Sequence, residues 1–184
     1  LTGTAETAPL RVGIPIGDLL AGYFAALGIL VALVERGESG RGQRVETSLL
    51  EALAGSLSFQ AAKYVNTGEV PPPVGNHHPL TAPMGVYRGK DGYFNLAVGN
   101  DDMWKRCCEA LGLPALAEDP RFVGALTRVK NRAAMDAILE QVLSTRPAAE
   151  WVEVLNRAGV ACGPIYTVDE VFADPQVRMA GLVQ

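Results

Sequence analysis

The sequence predicts an α/β chain in two pieces, and three observations predict it. The Ala/Leu-rich run from Leu19 to Val34 has the composition of a helix buried on several faces. The segment NTGEVPPPVGNHHP, residues 66–79, then breaks every regular pattern, because consecutive prolines fix an extended backbone and remove N–H donors. Beyond it, MGVYRGKDGYFNLAVGN reads as a hairpin turning at Lys90-Asp91-Gly92, and helical patterns follow. The boundary divides the 184 residues into 1–68 and 69–184, with 66–79 as linker.

The elements follow in order. Asp18 is the one charge in PIGDLLAGYFAALGIL, where a Gly/Pro-rich approach enters the apolar run. Asp is among the best N-cap residues, and capping alone accounts for its place. The same position allows a second role. A carboxylate at a helix N-terminus faces free N–H groups and the positive end of the dipole, which favours its ionised, nucleophilic form and any oxyanion it creates. Small residues at Ala21, Gly22, Ala25, Ala26 and Gly28 let another backbone approach. Polarity returns at Glu35 and Arg36, and Gly37 suits a C-cap. The apolar run falls short of the ~18 residues that span a bilayer, so a buried helix is expected rather than a membrane segment.

GESGRGQ follows a helix and leads toward a strand, the reverse of a dinucleotide fingerprint, and it lacks a GK[ST] ending; it reads as a connecting turn. Gln43 to Thr47 alternates like a short strand around Val45. Ser48 caps the next helix, with Glu51 completing a capping box. After the hairpin, Asp101 to Leu111, Val129 to Leu143 and Ala148 to Ala158 read as helices, the last ending at Gly159. Val160 to Ile165 is a short apolar piece broken by Gly163-Pro164, and Thr167 caps a final helix over 168–173.

Composition narrows the function. At 48% hydrophobic and 20% charged the chain is globular. A net charge of −4 without a basic run argues against nucleic acid and anionic membrane as partners. Cys107, Cys108 and Cys162 are sparse, odd in number and without zinc-ligand spacing, which fits a reducing cytoplasm. The N-terminus has no basic stretch before an apolar core, hence no signal peptide, and the missing initial Met reads as absent upstream sequence. His77 and His78 are adjacent on an extended loop and face opposite ways, a poor metal pair, so no metal is expected. That Gly/Asn/His loop is instead placed to line a site. Asp101-Asp102 starts a helix, and no GxSxG or HExxH occurs.

Four stretches, in this order, resemble the class III CoA-transferases, the CaiB/BaiF-like family of formyl-CoA transferase and carnitine CoA-transferase. They are GDLLAGYFAALGILVALVERGESGRGQRVETSLLEA, GNHHPLTAPMGVYRGKDGYFNLAVGNDDMW, LAEDPRFVGALTRVKNRAAMDAIL and EWVEVLNRAGVACGPIYTVDEVFADPQV. The resemblance implies that residues 1–68 end a Rossmann-like large domain and 69–184 form a small α/β domain of an interlocked homodimer. It implies that Asp18 is the catalytic nucleophile and that coenzyme A passes between an acyl-CoA and a carboxylic acid through an aspartyl-CoA thioester. Gly17, Gly75, Asn76 and His77 are the expected substrate-binding residues. Coenzyme A and acyl-CoA enter as substrates, and no permanently bound cofactor is expected. Family members are longer, with an N-terminal half that supplies much of the CoA pocket. The short GNHHP replaces the glycine-rich loop of formyl-CoA transferase, which argues against formyl or oxalyl specificity.

Two other readings remain. The homologous α-methylacyl-CoA racemases use the same aspartate for proton transfer, with a glycine cluster after it; here Leu19-Leu20-Ala21-Gly22 follows, and their glutamate would fall near Asp102. A non-catalytic CoA-ester binding module would leave Asp18 only a cap.

Overall fold

A computed structural model describes residues 1–7 and 9–182 and separates into two compact units, the first Leu1–Gly75 and the second beginning at Asn76. In the first unit, α1 spans Ile16–Ser39. It starts earlier than expected. The N-cap is Pro15, and the ladder opens with the Leu19 N–H donating to Pro15 O at 3.1 Å, so Asp18 is the third helical residue and not the cap. It also ends later. Gly40, at φ +70°, takes the left-handed position and donates its N–H to Arg36 O at 2.9 Å, while Gly37 stays inside the helix.

With 24 residues, α1 is long and apolar enough to cross a membrane by length and composition, beyond the span expected from its apolar run. The expected deep burial is also not found: no residue of α1 is buried. The half-covered positions form one stripe of mostly small residues through Ala21, Ala25, Gly28 and Ala32. Val45 fills the notch at Gly28, where a Cβ would come within 2.7 Å of its Cγ1. The segment 43–47 therefore packs through a side chain but is not a strand; among the described residues no strand pairs with it. Helix α2, Leu49–Ser56, is capped by Ser48 as expected, its Oγ accepting from the Glu51 N–H at 3.1 Å, but the expected capping box does not form: the Glu51 carboxylate accepts from the Ser48 hydroxyl at 2.8 Å instead of from the Ser48 backbone N–H. Helix α3, Phe59–Thr67, ends at Gly68.

The second unit is built on the expected hairpin. Strands β1, Met84–Arg88, and β2, Tyr93–Ala97, pair antiparallel, with the Gly89 N–H donating to Gly92 O at 2.8 Å across the turn. The short apolar piece supplies β3, Ala161–Pro164, antiparallel to β2, so the sheet order is β1-β2-β3. Helix α4, Asp101–Ala110, is capped by Asn100, whose side chain accepts from the Met103 N–H at 2.8 Å. A 3₁₀ turn, Pro114–Glu118, leads to α5, Ala125–Lys130, and α6, Arg132–Leu143. The single helix expected over 129–143 is thus split at Asn131, whose amide donates to Arg121 O and Thr127 O, each at 3.0 Å. Helix α7, Ala148–Arg157, closes at Gly159. Helices α8, Val168–Ala173, and α9, Pro175–Met179, follow; α9 was not anticipated and is started by Asp174, which accepts from the Gln176 N–H at 2.7 Å. The core joins Phe94 and Leu96 of the sheet to Trp104 of α4, Leu139 of α6 and Trp151 of α7.

Candidate active site

Asp18 lies exposed on the first turn of α1. Among the described residues its carboxylate makes no hydrogen bond or ion pair. The first-turn N–H groups beside it lack intrahelical partners, and the positive end of the dipole points there. Gly17 precedes it and serves packing: a Cβ there would meet Leu53 Cδ1 of α2 at 3.3 Å. Gly75 also belongs to the first unit, with φ +63° and its N–H donated to Gly3 O at 2.7 Å.

Asn76 and His77 open the second unit, where the loop is stitched to β1. Asn76 O accepts from the Val86 N–H at 3.2 Å, and the His78 N–H donates to Met84 O at 2.8 Å. His77 bridges Gly85. The Arg132 guanidinium on α6 donates to His78 O at 2.6 Å and to Thr81 O at 3.0 Å. The His77 ring stands edge-on to Tyr87, centroids 6.4 Å apart, with Nε2 3.9 Å from Asp136 Oδ2. The Tyr87 hydroxyl donates to Asp136 Oδ1 at 2.7 Å. Burial, and then the neighbouring Asp136 carboxylate, push the Tyr87 phenol above its ordinary range. Sequence reasoning missed Tyr87, Arg132 and Asp136. Their signal was the i,i+4 spacing of Arg132 and Asp136 on one helix face, together with the inward register of Tyr87.

Other groups are less suited to chemistry. Burial raises all three thiols: Cys107 well above its usual range, Cys108 to about 12, and Cys162 upward. They are poor nucleophiles. Asp102 is an exposed first-turn residue of α4. Among the described residues no group of three His, Cys, Asp or Glu is placed to hold a metal.

Comparison with known proteins matches CoA-transferase family III over residues 1–184. The chain belongs to this family. Among the relatives of this family III chain, an acetyl-CoA:oxalate CoA-transferase from Acetobacter aceti is 38% identical over 99% of the chain and 47% of the relative. A succinate–glutarate CoA-transferase from Agrobacterium fabrum is 32% identical over 99% of the chain and 46% of the relative. The crystal structure of a CaiB/BaiF family protein from Brucella suis superposes with TM-score 0.78 at 37% identity, over 98% of this chain and 48% of that one. The family III chain therefore spans about half the length of the relatives it matches.

The DPRF and R-x-x-N elements of this family III chain hold structure together. Asp119 accepts from the Arg121 N–H at 2.9 Å and grips its guanidinium, which lies 4.9 Å over the Phe122 ring. Arg128, 0% exposed, donates to Ala82 O at 2.6 Å and Phe122 O at 3.1 Å, pairs with Asp101 at 2.8 Å and lies 5.4 Å over Trp104. A buried guanidinium must find such partners, and these tie the start of the hairpin to the DPRF turn.

Proposed function

We propose that this family III protein transfers coenzyme A between an acyl-CoA and a carboxylic acid, with Asp18 as the nucleophile. The observation that carries the reading is the uncommitted Asp18 carboxylate in the G-D block: with Pro15 as the cap, a capping role no longer accounts for it.

The chemistry balances without a metal or redox partner. The Asp18 carboxylate attacks the thioester carbonyl, and the C–S bond breaks to release CoA thiolate and leave a mixed anhydride. The thiolate attacks the aspartyl carbonyl, expelling the donor carboxylate and forming an aspartyl-CoA thioester. An acceptor carboxylate attacks that thioester and again releases the thiolate. The thiolate then takes the acceptor acyl group and frees Asp18. No net proton moves, and the energy of the thioester is conserved. Helix N–H groups and the dipole favour the transient oxyanions. Gly17, Gly75, Asn76 and His77 are the proposed substrate-binding residues.

The relatives named above are named for oxalate, succinate and glutarate, so short dicarboxylic acids are the proposed acid class. Oxalate stays within that class because the Acetobacter relative is named for it, although the short GNHHP loop of this chain argues against oxalyl specificity. The whole protein is proposed to be a cytoplasmic homodimer whose first unit completes a Rossmann-like domain. A monomer by light scattering of the full-length protein would overturn the dimer.

The test incubates the full-length protein with a panel of acyl-CoAs and dicarboxylates and follows CoA exchange by mass spectrometry. Asp18→Asn should abolish exchange while changing stability by less than about 1 kcal/mol, the scale of one dipole interaction. Hydroxylamine added during turnover should modify Asp18. Near wild-type exchange by Asp18→Asn, with deamidation excluded by intact mass, would remove Asp18 from the mechanism. Exchange of an α-proton without CoA movement would favour the racemase reading.

A further inference from the structure

Asp136 faces two partners with its two oxygens. Oδ1 accepts from the Tyr87 hydroxyl at 2.7 Å, and Oδ2 lies 3.9 Å from His77 Nε2. The carboxylate is only 14% exposed, so this arrangement is not a solvated surface contact. His77 is 34% exposed, but its Nδ1 is shut off from solvent and has no partner. That nitrogen sits against Gly85, where a Cβ would come within 3.1 Å of it. A proton on Nδ1 would be a buried, unpaired donor, whereas a proton on Nε2 faces a carboxylate. Nε2 is thus the ring nitrogen that faces the carboxylate, across an electrostatic contact of 3.9 Å.

The main chain around His77 is fixed as well, through Asn76 O on β1 and through His78 O on Arg132. The side chain left outside this grip is that of Asn76, which is exposed. Its amide offers a donor and an acceptor, the complement of a thioester or carboxylate oxygen.

We propose that Asp136 is a positioning residue: by holding His77 it fixes the loop, so that Asn76 meets the carboxylate or thioester oxygen of the substrate and His77 acts as the anchor. The proposal rests on the reading of this loop as substrate-facing in a CoA-transferase. Tyr87 orients the carboxylate, and Gly85 makes room for the ring.

The test uses the full-length protein. Asp136→Asn keeps the shape and an acceptor for Tyr87 but removes the charge opposite Nε2. It should raise KM for the carboxylate acceptor about tenfold, as expected for a small misplacement of a binding group, with kcat and thermal midpoint little changed. His77→Gln should give a similar rise, and the double variant no more than either single one. Asn76→Ala should raise KM at least as much. A merely structural Asp136 would lower the thermal midpoint and leave KM alone. A readout independent of activity comes from ¹⁵N-histidine NMR, in which His77→Gln identifies the His77 signals. They should report the Nε2–H tautomer in the parent and a mixture in Asp136→Asn. Additive kinetic effects of Asp136→Asn and His77→Gln, or His77 signals unmoved by Asp136→Asn, would overturn the proposal. Should the protein transfer no CoA at all, the function is what fails, and the NMR comparison still decides whether Asp136 holds His77.

Discussion

Replacing Gly85 by Ala should undock the Asn76–His78 loop. At φ +156° the backbone is in a region that residues with a Cβ rarely enter. A Cβ there would also stand inside van der Waals contact of Asn76 O and 3.1 Å from His77 Cα. Both are backbone atoms, so no rotamer change relieves the clash and the loop must move. Movement breaks the Asn76 O to Val86 N bond at 3.2 Å and the His78 N to Met84 O bond at 2.8 Å. Two such bonds are worth about 2 kcal/mol net. Backbone strain adds about 1 kcal/mol or more, and the stiffer unfolded chain of Ala returns about 0.5 kcal/mol. The expected loss is about 2–3 kcal/mol, and it is capped by the free energy that docks the loop, because beyond that the loop detaches while the core stays folded. Hydrogen exchange by NMR separates the two limits. The Val86 and His78 amides should lose protection selectively, while Leu96 and Leu139, buried in the core, keep theirs. Unchanged protection at Val86 and His78 in Gly85→Ala would refute the reasoning.

Two further outcomes are expected. Asp91 Oδ1 accepts from the Ala148 N–H at 2.9 Å and so caps α7 from the hairpin turn. Asp91→Ala should cost about 1 kcal/mol, a fall of several degrees in thermal midpoint, and Asp91→Asn should restore most of it; equal midpoints for all three proteins would exclude the cap. The second outcome concerns alkaline pH. Cys108, raised to about 12 in the fold chiefly by burial, would ionise near its ordinary value of about 8.5 when unfolded. The unfolded state then binds fewer protons, so the contribution is fully present below about pH 8.5 and is lost as pH rises toward about 12. Urea midpoints should fall between about pH 8 and about pH 10, less steeply in Cys108→Ala; identical slopes would contradict the burial of this thiol.

Local chemistry explains what could be read from the sequence. The hairpin was legible because its turn and alternation are contained in one short window. The β3 strand was visible only as an apolar piece, because Gly163-Pro164 argues for a break. Pro164 is tolerated at the strand's last position, opposite Phe94, where a missing donor matters little. The start of α1 was misplaced for a related reason. Asp is favoured both as the cap and throughout the first turn, so propensity cannot tell the two apart. Asn131 splits a helix through its bond to Arg121 O, a tertiary contact with no mark in the periodicity. The Tyr87–Asp136 bond joins residues 49 apart, and its partners could not be paired before the hairpin was laid against α6.

Most acidic side chains of the first unit are engaged by neighbours. Glu35 accepts from the Gln43 amide, Glu46 pairs with Arg44, and Glu51 is engaged by Ser48. Glu6 accepts from Thr4, and Glu69 pairs with Lys63 at 2.9 Å. Among the described residues of this unit, that leaves Asp18 and Glu38 with uncommitted carboxylates, at opposite ends of α1. The ends are not equivalent. At the C-terminal end, Glu38 sits where the dipole disfavours negative charge, so an oxyanion formed on a carbonyl it attacked would be raised in energy. At the N-terminal end the same dipole presents its positive pole to such an oxyanion. Of two otherwise similar exposed carboxylates, only the one in the G-D block has surroundings that favour attack on a thioester. Moving the acid tests the proposed role of Asp18: an Asp18→Asn variant carrying a new carboxylate elsewhere on α1 should remain inactive, and CoA exchange by such a variant would refute a mechanism that depends on the position of the charge on the helix.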